Sequence, residues 1–235
     1  NSQQFIDIQI RTFTSKILVE GILQYYNGYG IMEINQKYST DYDEQKIRED
    51  IRTTNLGLQV LYASNYSKFS LKAPFVFNEI QRKSAGSPIF GANFNLINID
   101  ADSSLIPPEL EHQFDENSYI KNLNALNFAV SAGYMYSFVL KEKWFATLGF
   151  VPGINLSYGD YTIANREFIN WRFSYRIKTM NSFGYNTDRF YTGFQIVGDF
   201  VNISLSKDLS IMYSNGSIKY FVGYRFNTKK KKHKK

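Results

Sequence analysis

Apolar and polar side chains alternate along much of this chain with a period of two residues. The longest run covers residues 128–140, and shorter runs cover 69–77, 144–150 and 169–178. The even positions of the longest run are Phe128, Val130, Ala132, Tyr134, Tyr136, Phe138 and Leu140. Because successive side chains of a β-strand point to opposite faces, this period predicts strands with one apolar face. The chain is therefore expected to be all-β.

The apolar residues are interleaved with polar ones rather than clustered. Aromatic residues make up 17% of the chain, yet the mean hydropathy is −0.34. A barrel wall combines these properties, because lipid-facing and lumen-facing side chains alternate along each strand. No stretch approaches the roughly 18 consecutive apolar residues that a membrane-spanning helix needs. We therefore predict an antiparallel transmembrane β-barrel. The side chains expected to face lipid are Phe128, Val130, Tyr134, Tyr136, Phe138, Trp144, Leu148, Phe150, Trp171, Phe173 and Tyr175.

The alternation predicts eleven strands. They cover residues near 5–13, 15–26, 53–63, 67–79, 87–98, 123–140, 143–158, 167–180, 189–204, 208–214 and 217–226. Because bacterial single-chain barrels normally have an even number of strands, we expect about ten to twelve. The odd count and the abrupt opening of the chain favour a barrel that lacks N-terminal strands. Residues 1–226 are assigned to the barrel, and 227–235 to a disordered basic tail.

The last predicted strand ends on an aromatic residue, Phe226, directly before the polar tail. This looks like the C-terminal signal by which barrel-assembly machinery recognises outer-membrane proteins, although in its commonest form the aromatic residue is terminal. The pattern therefore predicts a location in the bacterial outer membrane, with outer-membrane lipid as a partner.

The two long polar connections, 35–52 and 100–121, should be extracellular, because periplasmic turns are short. With Phe226 at the periplasmic side and a turn at 214–216, however, counting strands backwards puts the second connection in the periplasm. The strand count and the loop rule therefore conflict.

The formal net charge of +6 would favour a nucleic-acid partner if it were spread over the chain. The six lysines of 227–235 account for all of it, so residues 1–226 sum to zero. We therefore expect no nucleic-acid partner. The tail is expected to be solvated, with anionic lipid or an acidic envelope protein as the alternative contact.

One motif is not explained by alternation: the run 79–91, which reads Glu-Ile-Gln-Arg-Lys-Ser-Ala-Gly-Ser-Pro-Ile-Phe-Gly. Together with 99–107 it resembles a family of outer-membrane barrels of unknown function found in Bacteroidota. The resemblance covers most of the chain, and its most distinctive part is Gln-Arg-Lys-Ser-Ala-Gly-Ser. It implies a fold and a location, further strands before Asn1, and no activity.

Six charged residues form the candidate polar cluster of the lumen. They are Glu79, Arg82, Lys83, Arg172, Arg176 and Lys178. The first three fit either a binding patch or a hairpin with ion pairs at the rim. The other three could select anions in a pore, or could pair with lumen acids such as Asp199 and fill the barrel.

No catalytic set is present in the sequence. There is no cysteine, and a Ser-based lipase would need a histidine base with an acid to orient it. The two histidines are His112, in an acidic connection, and His233, in the tail. The acids at 41–44 and at 100–102 do not match a calcium-loop spacing. We predict no enzyme activity, no metal site and no cofactor.

Three functions fit these observations. The first is a structural or accessory barrel that associates with other envelope proteins. The alternative is a narrow channel for small solutes, and the third is a lipid-modifying enzyme in which His112 would be essential.

Overall fold

The computed structural model describes residues 4–30, 47–106, 119–163, 166–205 and 210–226. These residues form nine strands and one short helix. The strands are β1 (Gln4–Phe13), β2 (Ile17–Gly30), β3 (Ile47–Ala63), β4 (Ala85–Asp100), β5 (Ile120–Leu140), β6 (Trp144–Ile163), β7 (Arg166–Asn186), β8 (Phe190–Ser204) and β9 (Ser210–Tyr224), and the helix is α1 (Lys72–Phe75). Among the described residues, none of the helical segments has the length and hydrophobicity of a transmembrane helix.

All nine strands belong to one antiparallel sheet in which each strand pairs with its neighbours in sequence. The sheet curls on itself, as shown by side chains near its two edges that lie within hydrogen-bond distance of each other. Arg11 Nη1 of β1 donates to Ser217 Oγ of β9 at 3.4 Å, and Tyr213 Oη of β9 donates to Gln24 Oε1 of β2 at 2.7 Å. The expected all-β, antiparallel, barrel-type fold is confirmed.

Nine strands replace the eleven predicted because two segments differ from expectation. Residues 208–214 and 217–226 were predicted as separate strands with a turn at 214–216. Instead, Ser214, Asn215 and Gly216 continue the pairing of β9 with β8. These three residues do not form a turn because β8 continues past this point and supplies a pairing partner for each of them.

Residues 67–79 are not a strand. The segment leaves β3 and folds into the lumen, where Phe69, Leu71 and Phe77 are buried. The alternation in this segment therefore reflects which side chains are buried inside the barrel, and the segment does not pair as a strand of the wall. Within the described residues, β3 pairs directly with β4.

The nine-strand order removes the conflict over the long connections. The connections at 14–16, 64–84, 141–143 and 187–189 lie at one end, together with Phe226; we call this the short-turn end. The β2–β3, β4–β5, β6–β7 and β8–β9 connections leave from the opposite, long-connection end. Both long polar connections therefore start from the same end, away from Phe226.

The outer face carries the apolar side chains. Of the eleven predicted outward residues, Tyr136 is half-buried and the others are exposed. They include Val130, which is 53% exposed, and Phe173, which is 75% exposed. The predicted direction of these side chains is confirmed.

The inner face is layered. One apolar cluster at the short-turn end contains Leu18, Leu61, Met135 and Val151. A second, at the long-connection end, contains Ile97, Leu123, Tyr161, Val201 and Ile203. Between them lies a layer of buried polar and charged side chains.

Candidate functional site: the lumen

The segment 64–84, which we call the plug, fills the lumen at the short-turn end. Phe69 and Leu71 have no exposed surface, and Ala73, Pro74 and Phe75 of α1 are buried. Phe69, Leu71 and Phe75 join the apolar cluster formed by the strands around them. Because each buried large apolar side chain contributes about 1.5–3 kcal/mol, the plug is a tightly held part of the barrel core.

Phe77 anchors the plug through its ring. Its backbone has φ of 61°, a left-handed conformation that is unusual for a bulky residue. The ring lies among Phe145, Tyr191 and Phe221, with centroid distances of 5.7, 5.3 and 4.2 Å. Contacts with β6, β8 and β9 hold the residue in this strained conformation.

Inward polar side chains hold the plug backbone. Ser182 Oγ donates to the carbonyl oxygen of Pro74 at 2.7 Å, and Gln195 Nε2 donates to that of Phe75 at 2.7 Å. Arg225, which follows β9, donates to the carbonyl oxygens of Phe77 and Thr187 and lies over the ring of Tyr191. Carbonyl groups that would otherwise be buried without partners are thereby satisfied.

The distinctive motif that begins at Glu79 fastens the far end of the plug. Glu79 accepts hydrogen bonds from Ser15 Oγ at 2.8 Å and from Ser70 Oγ. Gln81 Nε2 donates to the carbonyl oxygen of Lys68 at 2.6 Å. Ser84 Oγ accepts from the backbone N–H of Val139 at 2.8 Å. The motif therefore acts as a collar that ties the plug to β5 and to the first hairpin.

Breaking the Arg225 contacts should loosen the plug. We expect Arg225→Met to speed hydrogen exchange of the amides of 69–79 by about tenfold or more, because hydrogen bonds from a charged donor contribute about 1.5–3 kcal/mol. Exchange followed by mass spectrometry measures this effect. Arg189→Met is the matched control, since Arg189 is exposed in the adjacent turn. Equal exchange rates in the two variants would show that Arg225 does not hold the plug.

Five charged side chains form a continuous ionic network in the polar layer. Lys178 lies at its centre, with Nζ 2.6 Å from Glu20 Oε2 and 3.2 Å from Asp199 Oδ2. Arg11 pairs with Glu20, and Arg176 Nε donates to Asp199 Oδ1 at 2.8 Å. Gln59 Oε1 accepts a further hydrogen bond from Lys178. The network links β1 and β2 to β7 and β8 across the lumen.

The register of the sheet brings the network partners together. Arg11 is directly opposite Glu20, Glu20 is opposite Gln59, and Lys178 is opposite Asp199. Glu20, Arg176 and Lys178 are at most 4% exposed. Three cations face two carboxylates, so the network carries one excess positive charge, and Arg176 Nη1 has no hydrogen-bond partner among the described residues.

Amide and hydroxyl side chains complete the polar layer. Asn55 Nδ2 donates to Gln24 Oε1 at 3.0 Å and to Tyr213 Oη at 3.1 Å. On the other side of the lumen, Asn155 Nδ2 donates to Ser157 Oγ at 2.8 Å. A cavity of about 10 Å³ beside the plug has room for about one water molecule.

The start of the β4–β5 connection packs at the long-connection end. Leu105 contacts the second apolar cluster. Arg48 donates to both carboxylate oxygens of Asp50 at 2.7 Å and to Ser103 Oγ at 2.8 Å. The hydrogen bonds from Arg48 hold the pKa of Asp50 well below its usual range.

The six residues of the predicted polar cluster do not form one site. Arg176 and Lys178 belong to the ionic network and pair with Asp199, which is the second of the two alternatives that the sequence left open for them. Arg172 donates to the carbonyl oxygen of Leu205 at 3.0 Å. Glu79 lies in the collar, whereas Arg82 and Lys83 are exposed. The cluster is divided because 79–84 lies at the short-turn end, while the network lies deeper in the lumen.

The sequence prediction missed Glu20 and Gln59 as partners of Lys178, and Arg11 as the partner of Glu20. Each occupies an inward position of the alternation in β1, β2 or β3, and a register alignment of the first hairpin would have placed Arg11 opposite Glu20. The approach of β2 to β7 across the lumen leaves no such signal in the sequence.

His112, His233 and the acids at 41–44 lie outside the described residues, as do 227–235. Asp102 pairs with Arg52 at 3.2 Å. Within the described ranges, no group of three or more His, Cys, Asp or Glu side chains could hold a metal ion.

Comparison with known proteins gives a family and no closer relative. No curated protein matches the chain, and no solved structure matches it. A family model described as Domain of unknown function (DUF4421) matches residues 2–226, which include all nine strands, the plug and the ionic network. The chain belongs to this family.

Proposed function

We propose that this protein is a β-barrel of the bacterial outer membrane with a sealed lumen and a structural or accessory role in an envelope assembly. The proposal rests on a distribution of side chains that is the reverse of that in a water-soluble protein. Large apolar side chains cover the outside, whereas the inside holds a polar layer between two apolar clusters. Exposure of an apolar face of this extent is unfavourable in water and favourable in lipid.

Paired aromatic side chains mark the two ends of an apolar band on the outer face, which supports membrane insertion. On β6 and its neighbour β7, Trp144 contacts Tyr185 near the short-turn end, and Tyr158 contacts Trp171 near the other end. The outward residues between them include Leu148 and Ile154. Trp144 and Tyr158 are separated by about 45 Å along the strand, or about 30 Å in depth at a 45° tilt, which matches the hydrocarbon core.

Insertion requires partners for the edges of β1 and β9. In the described part of the chain neither edge is paired with another strand, and an open edge is not tolerated in lipid. Both strands run from the long-connection end to the short-turn end, so direct pairing between them would be parallel. An odd number of further strands in the seam gives antiparallel pairing throughout and an even total.

The filled lumen favours a structural or accessory role over a channel. The plug closes the short-turn end. Of the three cations that could have lined a pore, Arg176 and Lys178 are paired with Glu20 and Asp199, and Arg172 donates to a backbone carbonyl oxygen. A conducting pore needs a continuous aqueous path, whereas the polar layer is hydrogen-bonded across the lumen. The exposed side chains of Arg82 and Lys83, and the six lysines that follow Phe226 in the sequence, are charged groups that envelope partners could contact.

Reconstitution tests both parts of the proposal. We expect the full chain to float with lipid vesicles after a urea wash, because its outer face is inserted. In planar bilayers we expect no steady conductance steps. Recovery of the protein in the washed supernatant would refute membrane insertion, and ion-selective steps from the unmodified protein would refute the sealed lumen.

A further inference from the structure

The net charge of residues 1–226 is zero, but positive and negative side chains are distributed unevenly between the two ends of the barrel. At the short-turn end, the described segments 14–16, 64–84, 141–143, 187–189 and 225–226 contain nine lysines and arginines and three acids. At the other end, the described segments 47–52, 100–102, 120–121 and 160–163 contain three cations and five carboxylates. The six tail lysines follow Phe226, which lies at the short-turn end.

The acids at the short-turn end do not neutralise its lysines. Glu142 and Asp188 both pair with Arg82, at 3.6 and 2.9 Å, and Glu79 is occupied by Ser15 and Ser70. Within the described residues no carboxylate forms an ion pair with the remaining exposed cations. These cations, which we call the basic ring, are Lys16, Lys68, Lys83, Lys141, Lys143 and Arg189.

The basic ring lies where the outward apolar face ends. Lys141 and Lys143 stand between the exposed side chains of Leu140 and Trp144. Arg189 directly precedes Phe190, and Lys16 Nζ lies 5.6 Å from the centre of the exposed Tyr66 ring. In a membrane protein this is the level of the headgroups, where long cationic side chains extend from an aromatic belt.

The distribution of the ring indicates what it binds. Its members come from the β1–β2, β3–β4, β5–β6 and β7–β8 connections, so they follow the perimeter of the barrel instead of forming one patch. A planar layer of headgroups surrounds a barrel on all sides, whereas a protein partner would contact one side.

We propose that the basic ring binds the phosphodiester headgroups of anionic phospholipid in the leaflet at the short-turn end. The proposal rests on the proposed function, because it requires an inserted barrel. Each lysine or arginine near an anionic membrane surface favours association by about fivefold, and salt screens the effect. The protein should therefore select anionic lipid from a mixture, and the selection should be lost at high ionic strength.

Electron paramagnetic resonance of spin-labelled lipids measures this selection with the full chain in phosphatidylcholine vesicles. We expect the protein to restrict spin-labelled phosphatidylglycerol several-fold more than spin-labelled phosphatidylcholine at low salt, and about equally in 0.5 M NaCl. The combined variant Lys83→Gln, Lys141→Gln, Lys143→Gln and Arg189→Gln should lose most of the preference. The matched control, Arg52→Gln with Lys121→Gln at the other end, should keep it.

The outcomes separate this proposal from the one on which it rests. Failure of the unmodified protein to float with vesicles would refute the barrel itself. An inserted protein that restricts both lipids equally at low salt would overturn only the lipid proposal, as would equal losses in the two variants. Binding of polyglutamate without any lipid preference would overturn it in favour of an acidic protein partner. If the combined variant does not fold, the salt dependence of the unmodified protein decides.

Discussion

Asp199→Asn should lower the free energy of unfolding by about 3–5 kcal/mol, because it removes one partner from a buried ion pair. The substitution leaves the three cations of the network, of which Arg176 and Lys178 are buried, with only Glu20 as a carboxylate, and it leaves Arg176 without an ionic partner. Urea unfolding in detergent micelles, followed by the fluorescence of Trp144 and Trp171, measures the change.

Charge counting also predicts a rescue. Arg176→Met removes the excess positive charge of the network and leaves Lys178 paired with both carboxylates, so it should be milder. Adding Arg176→Met to Asp199→Asn restores the original net charge and removes the orphaned guanidinium. The double variant should therefore be more stable than Asp199→Asn alone. Two independent sites would instead have additive effects on the free energy of unfolding.

The control is Asp102→Asn at the exposed rim. Asp102 pairs with Arg52 in solvent, with 74% of its side chain exposed. Pairs of this kind contribute about 0–1 kcal/mol. If Asp199→Asn were no more destabilising than Asp102→Asn, the ionic network would not be a stabilising part of the lumen.

Val130→Arg should cost about 2–4 kcal/mol of folding free energy in lipid vesicles, as expected for a cation near the bilayer midplane. Val130 is 53% exposed on the outer face, at the middle of β5. Urea titration of vesicle-inserted protein measures the cost. In a water-soluble protein the same exposed position would accept arginine with little effect.

Leu140→Arg is the matched control for depth. Leu140 lies on the same face of the same strand, at its short-turn end, and is 64% exposed. The two positions differ by about 20 Å in depth at a 45° tilt. Arginine near the interface should cost about 0–1 kcal/mol. Equal costs at the two positions would contradict a membrane around this face.

The collar residues explain how a barrel can carry a large apolar plug without exposing it. Glu79 is joined to the ends of β7 and β9 through Asn186, which donates to the carbonyl oxygen of Glu79 at 3.1 Å and accepts from Arg225 at 2.9 Å. Because this link through Asn186 joins the plug to the end of β7 and to the residue that follows β9, the packing of the plug depends on completion of the last strand.

The alternation in the sequence determined the wall of the barrel. Period-two runs assigned β5, β6 and β7 and the direction of their outward side chains, because alternation is a local property of a strand. The same reasoning placed Lys178 and Asp199 in the lumen and left open whether they pair, and the structure pairs them across neighbouring strands. These features depend on contacts within one strand or between adjacent strands.

The tertiary structure alone decided what fills the barrel and where its charges lie. An alternating segment such as 69–77 has the same pattern whether it pairs in the wall or packs in the lumen, so the plug was predicted as a strand. The meeting of Glu20 with Lys178 requires the sheet to curl until β2 approaches β7, and no local pattern encodes that distance. The difference in charge between the two ends is not visible in the net charge of residues 1–226, which is zero. It becomes visible only when the antiparallel strand order assigns each connection to one end of the barrel.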